Sequence, residues 1–278
     1  MLFTVAYEML GSAADAEDVV QESWLRWSGV DHGQVRNPRA YLAQTVARLS
    51  LNRLRTLKRQ RETYIGTWLP EPVATSHDIE RDVELAESVS LAMLVVLESL
   101  SPTERAVFVM RDVFGFDYGD IADAIDKSEA AVRQIAHRAR THVRERREHA
   151  RVSSQDHAEV SERFFRASIE GDIQQLMDAL APGVVLMSDG GGVVKAALNP
   201  IIGRDKVLRF LQGVRPEAQR VRYDTGTLNG APALLVHIDG VLDTVVATRV
   251  HDGLITELYV MRNPHKLRRV EAAVSLRR

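Results

Sequence analysis

The spacing of apolar residues changes once along the chain, near Pro182, and this change limits the folds open to it. Before Pro182 the apolar residues recur at intervals of three and four, as on one face of an amphipathic helix. Beyond it, apolar runs are separated by Asn229-Gly230, Asp239-Gly240 and Asp252-Gly253, pairs that favour tight hairpins because both residues tolerate positive backbone φ. We therefore predict an all-α part followed by an α+β part.

The second part is expected to open with helices over "VSERFFRASIEGDIQQLMDAL" and to continue as strands. The predicted strand segments are "VVLMS", "GGVVKAAL", "QRVRYDTGTL", "PALLVHI", "VLDTVVATRV" and "LITELYVM". Tight turns between neighbouring strands indicate a mostly antiparallel sheet, and we expect it to be curved and wrapped on the helices.

Composition and charge exclude several classes of protein. With 278 residues and 45% hydrophobic content, the chain is long enough for about two domains. The formal net charge is −2, so a role in nucleic-acid binding requires local basic patches. The absence of cysteine excludes disulfides, thiolate zinc sites and cysteine nucleophiles. Because no signal peptide, membrane-spanning run, metal-ligand cluster or nucleotide-binding loop is recognisable, we expect a cytoplasmic protein without metal or cofactor.

Charges are sorted by position in the helical pattern of the first 60 residues or so. Acidic residues come early, at Glu8, Asp15, Glu17, Asp18, Glu22 and Asp31. No acidic residue then appears between Asp31 and Glu62, a stretch that is rich in arginine. The pattern predicts an acidic helix suited to a basic protein surface, followed by a basic helix suited to a nucleic-acid strand.

The stretch from Leu91 to about Arg151 has the pattern of a helix-turn-helix. Ser101, Pro102 and Glu104 form a predicted capping box with proline at the first helical position, and Gly115 ends that helix. A short helix "YGDIADAI", a turn "DKS" and a long basic helix "EAAVRQIAHRARTHVRER" follow. Two helices joined by a tight turn, with a basic second helix, are typical of DNA-binding modules.

The two faces of the long basic helix differ in residue type. Apolar residues at helical spacing are predicted to pack inward at Val132, Ile135, Ala136, Ala139 and Val143. The candidate DNA contacts point outward together at Arg133, Gln134, His137, Arg138 and Arg140. Arginine pairs with guanine and glutamine with adenine in the major groove. A solvated surface helix is the alternative, and the preceding helix and turn favour DNA.

Between about Glu62 and Ser90 the composition is that of a linker, yet it contains "WLPEP", Trp68 to Pro72. A solvated linker does not need Trp beside Leu. Two interpretations remain open: Trp68 attaches the linker to the nearest helix, or the segment docks at a specific site.

These segments together resemble the extracytoplasmic-function (ECF) sigma factors of bacterial RNA polymerase, in the group with a fused SnoaL-like C-terminal domain. "SAADAEDVVQESWLRW" resembles the polymerase-binding helix of sigma domain 2, "NPRAYLAQTVARLSLNRLR" its promoter-melting and −10-reading segment, and "LSPTERAVFVMRDVFGFDYGDIADAIDKSEAAVRQIAHRAR" sigma domain 4. The subgroup is indicated by "WLPEP", "DGGG" and "NPHKL". The resemblance implies domain 2 over 1–61, a linker over 62–90, domain 4 over 91–151, and a SnoaL-like regulatory domain with a C-terminal tail over 152–278.

The resemblance also implies core RNA polymerase and promoter DNA as partners. The expected polymerase-binding residues are Asp18, Gln21, Glu22 and Trp24. The expected contacts with the melted strand are Arg48, Asn52, Arg53 and Arg55. For Trp24 and Trp27 core packing is the alternative, and we expect it for at least one of them.

A regulatory interface is expected where the subgroup motifs meet, between the sigma domains and the SnoaL-like domain. Its residues are Trp68, Leu69, Pro70, Glu71, Pro72, Asp189, Gly190, Gly191, Gly192, Asn263, Pro264, His265, Lys266 and Leu267. "DGGG" either cradles an anion or allows another segment to approach closely, and the second interpretation is simpler. The chain departs from the group at His265, where an acidic residue is usual, and at the N-terminus, which lacks several residues that usually precede the first helix.

SnoaL-like folds form a cone with a cavity, and some relatives are enzymes with Asp and His pairs. The candidates in this chain are Asp189, His237, Asp239, Asp243, His251 and Asp252. We expect no catalytic set, since several of them lie in tight turns where Asp is ordinary. We predict a sigma factor regulated in cis by its C-terminal domain. The alternatives are a helix-turn-helix regulator that senses a small ligand in the cone, and an enzyme fused to a DNA-binding region.

The last residues form a basic extension after the final predicted strand "LITELYVM", and Pro264 is predicted to stop that strand. Its basic residues are Arg262, Lys266, Arg268, Arg269, Arg277 and Arg278. We expect this tail to be too polar to join the core, and to lie against the acidic helix near Asp15 to Glu22 and compete with polymerase there, or else to be solvated.

Overall fold

The computed structural model describes residues 1–35, 37–75, 83–147, 154–214, 220–270, 273, 274 and 276. The chain divides into two compact units. The first, here the helical unit, contains Met1–Thr63, Glu87–Glu148 and Ser275–Arg278. The second, here the sheet unit, contains Tyr64–Ala86 and His149–Val274. The segment predicted to be a linker is therefore shared between the two units.

Helices α1 (Leu2–Leu10), α2 (Ala13–Ser28) and α3 (Pro38–Arg61) form the N-terminal half of the helical unit. Gly11 ends α1 with a left-handed backbone, φ 65°, and Ser12 then caps α2 by accepting a hydrogen bond from the Asp15 amide at 3.2 Å. Both α2 and α3 pack against α1, whose fully buried apolar side chains are Val5, Ala6, Tyr7, Met9 and Leu10. The expected acidic helix and basic helix correspond to α2 and α3.

The other half of the helical unit contains α5 (Leu91–Glu98), α6 (Pro102–Phe108), α7 (Tyr118–Ile125) and α8 (Glu129–Arg147), preceded by α4 (Val83–Val89). The capping box at Ser101 is present, and α6 continues into a π-helical turn over Val109–Val113. Asp126, with φ 54°, ends α7, and Ser128 caps α8. The helix-turn-helix is thus confirmed, and α3 packs against α6 and α7.

The sheet unit contains α9 (Ser154–Glu170), α10 (Ile173–Ala179) and α11 (Arg204–Gly213), with the strands that they accompany. These strands are β2 (Leu180–Asp189), β3 (Ile201–Ile202), β4 (Val221–Leu228), β5 (Ala231–Ile238), β6 (Val241–His251) and β7 (Leu254–Met261). In all three predicted hairpins, the first residue and the glycine have positive φ, between 49° and 85°. The expected hairpin geometry is confirmed.

The sheet is mostly antiparallel, and its order is β3-β2-β7-β6-β5-β4-β1-β8. The parallel pairs are β2 with β7 and β1 with β8. Strand β1 (Ala74–Thr75) comes from the predicted linker, and β8 (Ala273–Val274) comes from the predicted tail. The predicted fold class, all-α domains followed by an α+β domain, is confirmed.

One predicted strand is wrong. "GGVVKAAL" forms a turn and an irregular loop, since Gly191 and Gly192 have φ 65° and 71° and the Val193 and Val194 amides donate back to the Gly190 carbonyl. Helix α11 was not predicted.

The core of the sheet unit lies between one face of the sheet and α9. Phe164 and Phe165 of α9 are buried against strand residues that include Leu234, Leu258 and Val260. No helix among the described residues is both long and apolar enough to span a membrane.

Candidate functional site

The predicted DNA-reading face of α8 is exposed as expected. Val132, Ile135, Ala136, Ala139 and Val143 are buried. Arg133, Gln134, His137 and Arg138 are exposed, and Arg140 is half-buried. The arginines are held by acidic side chains of the same unit: Arg133 by Glu129 at 2.7 Å, Arg138 by Glu104 at 3.6 Å, and Arg140 by Asp112 at 2.6 Å.

Tyr118, the first residue of α7, was not among the predicted site residues. The guanidinium carbons of Arg111 and Arg133 lie 4.6 Å and 5.1 Å from the centre of its ring. Arg140 Nη2 donates to its hydroxyl at 3.3 Å, and this hydrogen bond lowers the pKa of the Tyr118 hydroxyl. Its position at the start of the first helix of the helix-turn-helix, facing the second, was the available signal.

The predicted melted-strand residues Arg48, Asn52, Arg53 and Arg55 are all exposed on α3. Two of them have partners within the helical unit. Arg48 Nη2 donates to the carbonyl oxygen of Asp123 in α7 at 3.1 Å, and Arg53 pairs with Asp15 of α2 at 2.5 Å. Gln44 Nε2 also donates to Asp120 of α7 at 3.3 Å. The candidate melted-strand surface therefore borders the helix-turn-helix.

The predicted polymerase-binding residues Asp18, Gln21, Glu22 and Trp24 are all exposed on α2. Trp24 is 64% exposed, and the neighbouring Leu25, which was not predicted, is 66% exposed. Trp27 is less exposed and stacks on His32, with ring centroids 4.3 Å apart. Acidic side chains beside two exposed apolar ones suit a basic protein surface with an apolar centre.

The three subgroup motifs meet inside the sheet unit, around the carboxylate of Asp189. This side chain is fully buried, and its oxygens accept hydrogen bonds from the Tyr64 hydroxyl at 2.6 Å and from the amides of Leu69 and Gly191, both at 2.9 Å. Lys266 Nζ lies 2.7 Å from the same carboxylate. We call Asp189, Lys266, Tyr64 and the Trp68-Leu69 backbone the Asp189 cluster.

Lys266 joins the third motif to the first. Its Nζ donates to the Leu69 carbonyl oxygen and lies 3.9 Å from the centre of the Trp68 ring. A desolvated cation against tryptophan is the most favourable cation–π geometry. The Trp68 ring therefore contacts a distant segment at Lys266, whereas the alternative interpretation attached it to the nearest helix.

Asn263 has two roles in the same cluster. Its Nδ2 donates to the Tyr64 hydroxyl at 2.9 Å, and its Oδ1 accepts from the His265 amide at 3.0 Å, which caps the short helix α12 (Pro264–Leu267). Pro264 thus starts a helix. His265, at the position where the group usually has an acidic residue, is exposed. Tyr64 was not predicted, although it is an aromatic residue four positions before Trp68 in the predicted linker.

The rest of "WLPEP" is also buried in the sheet unit. Leu69, Pro70, Glu71 and Pro72 are buried. The amide of the following residue, Val73, donates to Asn229 Oδ1 at 3.0 Å, and the Val73 carbonyl oxygen accepts from the Asn229 amide at 2.9 Å. Together with β1, these contacts make residues 64–75, here the connecting segment, part of the sheet unit.

Replacement of Gly191 by alanine is expected to lower the free energy of unfolding by about 1–3 kcal/mol, the usual cost of overpacking. A Cβ at Gly191 would lie 2.6 Å from Asn263 Cγ, and the backbone there has φ 65°. Thermal unfolding measures the effect. Gly213→Ala is the control, since a Cβ there meets nothing within 4 Å. Equal melting temperatures for the two variants would contradict the close approach.

"DGGG" thus has the geometry of a loop that another segment approaches closely.

The candidate catalytic residues are dispersed over different environments. His237 is buried, with Nδ1 3.1 Å from Asp224, and Asp243 pairs with Arg262 at 3.0 Å. Asp239 and Asp252 are exposed hairpin residues with positive φ, and His251 Nε2 lies 3.2 Å from Asp252. No group of His, Asp and Glu suited to a metal ion is found among the described residues.

The predicted basic tail is partly incorporated into the sheet unit. Arg262 and Lys266 pair with Asp243 and Asp189, Val270 is buried, and β8 pairs with β1. The expectation that this segment is too polar to join the core is wrong for Leu267 and Val270, which are buried. The buried carboxylate of Asp189 neutralises Lys266, and the half-buried carboxylate of Asp243 neutralises Arg262. Arg268 and Arg269 are exposed. Arg277 and Arg278 lie outside the described residues.

Comparison with known proteins gives consistent results for the whole chain. Residues 1–60 match the family Sigma-70 region 2, and residues 90–143 match Sigma-70, region 4. The chain is 38% identical to ECF RNA polymerase sigma factor SigJ of Mycobacterium tuberculosis, over 95% of this chain and 89% of that protein. It is 32% identical to the probable ECF RNA polymerase sigma factor SigI of the same organism, over 96% of this chain and 91% of that protein.

The fold is similar to that of a solved structure. The crystal structure of M. tuberculosis extracytoplasmic function sigma factor SigJ has a TM-score of 0.79 and 35% sequence identity, covering 97% of this chain and 95% of that chain. Both sigma regions are matched in their expected order, and full-length similarity extends through the sheet unit. The chain therefore belongs to the extracytoplasmic-function sigma factors of RNA polymerase.

Proposed function

We propose that this sigma factor is regulated in cis by its sheet unit, which holds the connecting segment between the two sigma regions in a folded state. The observation that carries the proposal is the Asp189 cluster. A buried carboxylate and a largely buried ammonium, which are 2.7 Å apart, both bind the backbone of the connecting segment. A spacer without function would not require ionic groups to be buried around it, because desolvation makes such groups costly.

The sigma regions themselves have three proposed contact surfaces. The exposed side of α2, with Asp18, Gln21, Glu22 and Trp24, binds core RNA polymerase, and the exposed apolar Leu25 supports this role. Exposed Arg48, Asn52, Arg53 and Arg55 on α3 bind the melted strand. Exposed residues of α8 read the upstream element, where Arg and Gln reach base edges in the major groove.

Regulation follows from what the connecting segment must do when both sigma regions engage the promoter. The regions read separate elements, so the segment between them has to accommodate their separation. Residues 64–75 are not free to extend while they are bound to Asp189, Lys266 and Asn229. By linkage, a partner that requires the extended segment weakens these contacts of the connecting segment, and the contacts weaken binding of that partner by the same factor.

The packing inside the helical unit supports the same proposal. Arg48 and the neighbouring Gln44 of α3 donate hydrogen bonds to α7, so one side chain of the candidate melted-strand surface is engaged by the helix-turn-helix. The Arg48 hydrogen bond is exposed and the Gln44 hydrogen bond is partly buried, and each such bond contributes only about 0.5–1.5 kcal/mol of net stability. We therefore propose that promoter engagement separates α3 from α7 and releases the connecting segment together.

Run-off transcription with core RNA polymerase and the full chain tests the proposal. Lys266→Met removes the ammonium that binds the Leu69 carbonyl and the Trp68 ring, and Trp68→Leu removes the ring. We expect both variants to raise transcription at limiting sigma concentration, by about fivefold or more, since allosteric coupling is usually worth at least that factor. Faster proteolysis within residues 64–75 should accompany the rise.

Lys195→Met is the matched control, because Lys195 is an exposed lysine of the same unit. Run-off transcription with this variant should equal that with the intact chain. The proposal is wrong if Lys266→Met and Trp68→Leu increase cleavage of the connecting segment while transcription and polymerase affinity stay unchanged.

We propose no catalytic role for the sheet unit. Asp189 is saturated by its hydrogen bonds, and Asp243 is bound by the guanidinium of Arg262, so neither carboxylate is available as a general base. The proposal also requires no small ligand, since the chain's own side chains hold the connecting segment. Its partners are core polymerase and promoter DNA, which places its action in the cytoplasm.

A further inference from the structure

Tyr118 lies at the centre of a group of arginines on the helix-turn-helix. Its ring has Arg111 of the π-helical turn at 4.6 Å and Arg133 of α8 at 5.1 Å, measured from the guanidinium carbon to the ring centre. Its hydroxyl accepts a hydrogen bond at 3.3 Å from Arg140, which lies farther along α8. One neutral side chain thus contacts both an arginine near the start of α8 and one two turns later.

The acidic partners of these arginines cannot hold the arginine side chains in place when DNA is bound. Arg133 Nη2 donates to the carboxylate of Glu129 at 2.7 Å, and Arg140 Nε donates to the carboxylate of Asp112 at 2.6 Å. A carboxylate competes with base and phosphate oxygens for those donors, and it is repelled by the phosphates. Its ion pair with the arginine must therefore be exchanged for the contact with DNA.

A contact with an aromatic face leaves the donors free. The positive charge of a guanidinium is attracted to the ring, while the N–H groups around its edge remain available for bidentate hydrogen bonds. Holding a long side chain in one orientation also reduces the conformational entropy that it loses on binding. The ring of Tyr118 can therefore stay in contact with Arg133 before and after DNA binds.

We infer that Tyr118 is a positioning residue for upstream promoter recognition: its ring orients Arg133 toward the base edges, and its hydroxyl orients Arg140. The inference rests on the proposed DNA-reading role of α8. The first helix of the helix-turn-helix thereby affects which bases are preferred, although Tyr118 itself contacts no base.

The test measures base preference with holoenzyme containing the full chain. The probes are a promoter duplex that the intact holoenzyme selects from a randomised upstream element, duplexes with each upstream base pair replaced, and a duplex without the element. Tyr118→Leu keeps apolar bulk and removes the aromatic face. We expect it to reduce the preference at the base pair read by Arg133 by about threefold, the size of an exposed cation–π contact, and to leave affinity for the duplex without the element unchanged.

Conservative variants and a double-mutant cycle separate positioning from a structural role. Tyr118→Phe and Tyr118→Trp retain the aromatic face and should retain the preference. Adding Tyr118→Leu to Arg133→Ala should cause no further loss at that base pair, because the two residues act through one contact. Where Tyr118→Leu lowers the melting temperature, Tyr118→Met replaces it in the cycle.

The inference is overturned if Arg133→Ala changes the base preference and Tyr118→Leu does not, or if the two losses are additive. Loss of preference in Tyr118→Phe and Tyr118→Trp to the same extent as in Tyr118→Leu would also overturn it. If Arg133→Ala itself leaves the preference unchanged, the DNA-reading role of α8 fails, and the inference fails with it.

Discussion

Asp189→Ala is expected to lower the free energy of unfolding of the sheet unit by about 3–5 kcal/mol, the usual cost of breaking a buried ion pair. The substitution leaves the ammonium of Lys266, which is only 12% exposed, without its carboxylate. It also removes the acceptor of the Tyr64 hydroxyl and of the Leu69 and Gly191 amides. Each buried donor that loses its acceptor adds a desolvation cost.

Differential scanning calorimetry of the full chain measures this effect. At a few degrees per kcal/mol for a unit of this size, the melting temperature should fall by about 10 °C. Asp189→Asn keeps an acceptor oxygen, so its melting temperature should fall by less. Asp178→Ala is the control, since Asp178 is exposed on α10 and its loss should cost no more than about 0.5 kcal/mol. A melting temperature of Asp189→Ala within about 2 °C of the intact chain would contradict the central role of this carboxylate.

Arg105→Ala is expected to lower the free energy of unfolding of the helical unit by a similar amount, about 3–5 kcal/mol. Arg105 is 2% exposed, and its Nε donates to the Glu8 carbonyl oxygen at 2.9 Å. Its Nη1 pairs with Glu98, which also pairs with Arg61. One guanidinium therefore joins α6 to α1, and through Glu98 to the end of α3, so its loss affects both halves of the unit.

The control variants for Arg105 distinguish loss of charge from loss of geometry. Arg105→Lys keeps the charge but lacks the planar fork that reaches Glu8 and Glu98 together, so it should recover only part of the stability. Arg144→Ala removes an exposed arginine of α8 and should cost no more than about 0.5 kcal/mol. If denaturant titration gives Arg105→Ala and Arg144→Ala the same free energy of unfolding, the buried network does not hold the two halves together.

The elements that depend on near neighbours were predictable from the sequence. The capping box at Ser101 involves residues three positions apart, and the Asp-Gly and Asn-Gly turns require only the φ preference of adjacent residues. The two faces of α8 follow from the 3.6-residue period, which places Val132, Ile135 and Ala136 together on the inner face. Within such short distances along the chain, the side chain and the backbone leave few alternatives.

The pattern of apolar residues gave a wrong prediction at "GGVVKAAL", which was expected to be a strand. Gly191 and Gly192 adopt left-handed backbone conformations there, and the loop is closely approached by Asn263 from far along the chain. Alternation of residue types cannot distinguish a strand from a loop that packs its apolar residues against another segment.

Only the tertiary structure decided how the candidate sites are assembled. The partners of Asp189 lie 125 positions away at Tyr64 and 77 at Lys266, so no spacing rule relates them. The sequence by itself determined the helices, their caps, the hairpins and the outward face of α8, because these depend on contacts within a few residues. Folding decided that the connecting segment joins the sheet unit and that Tyr118 lies among the arginines, because burial and charge pairing bring together groups that the chain order keeps apart.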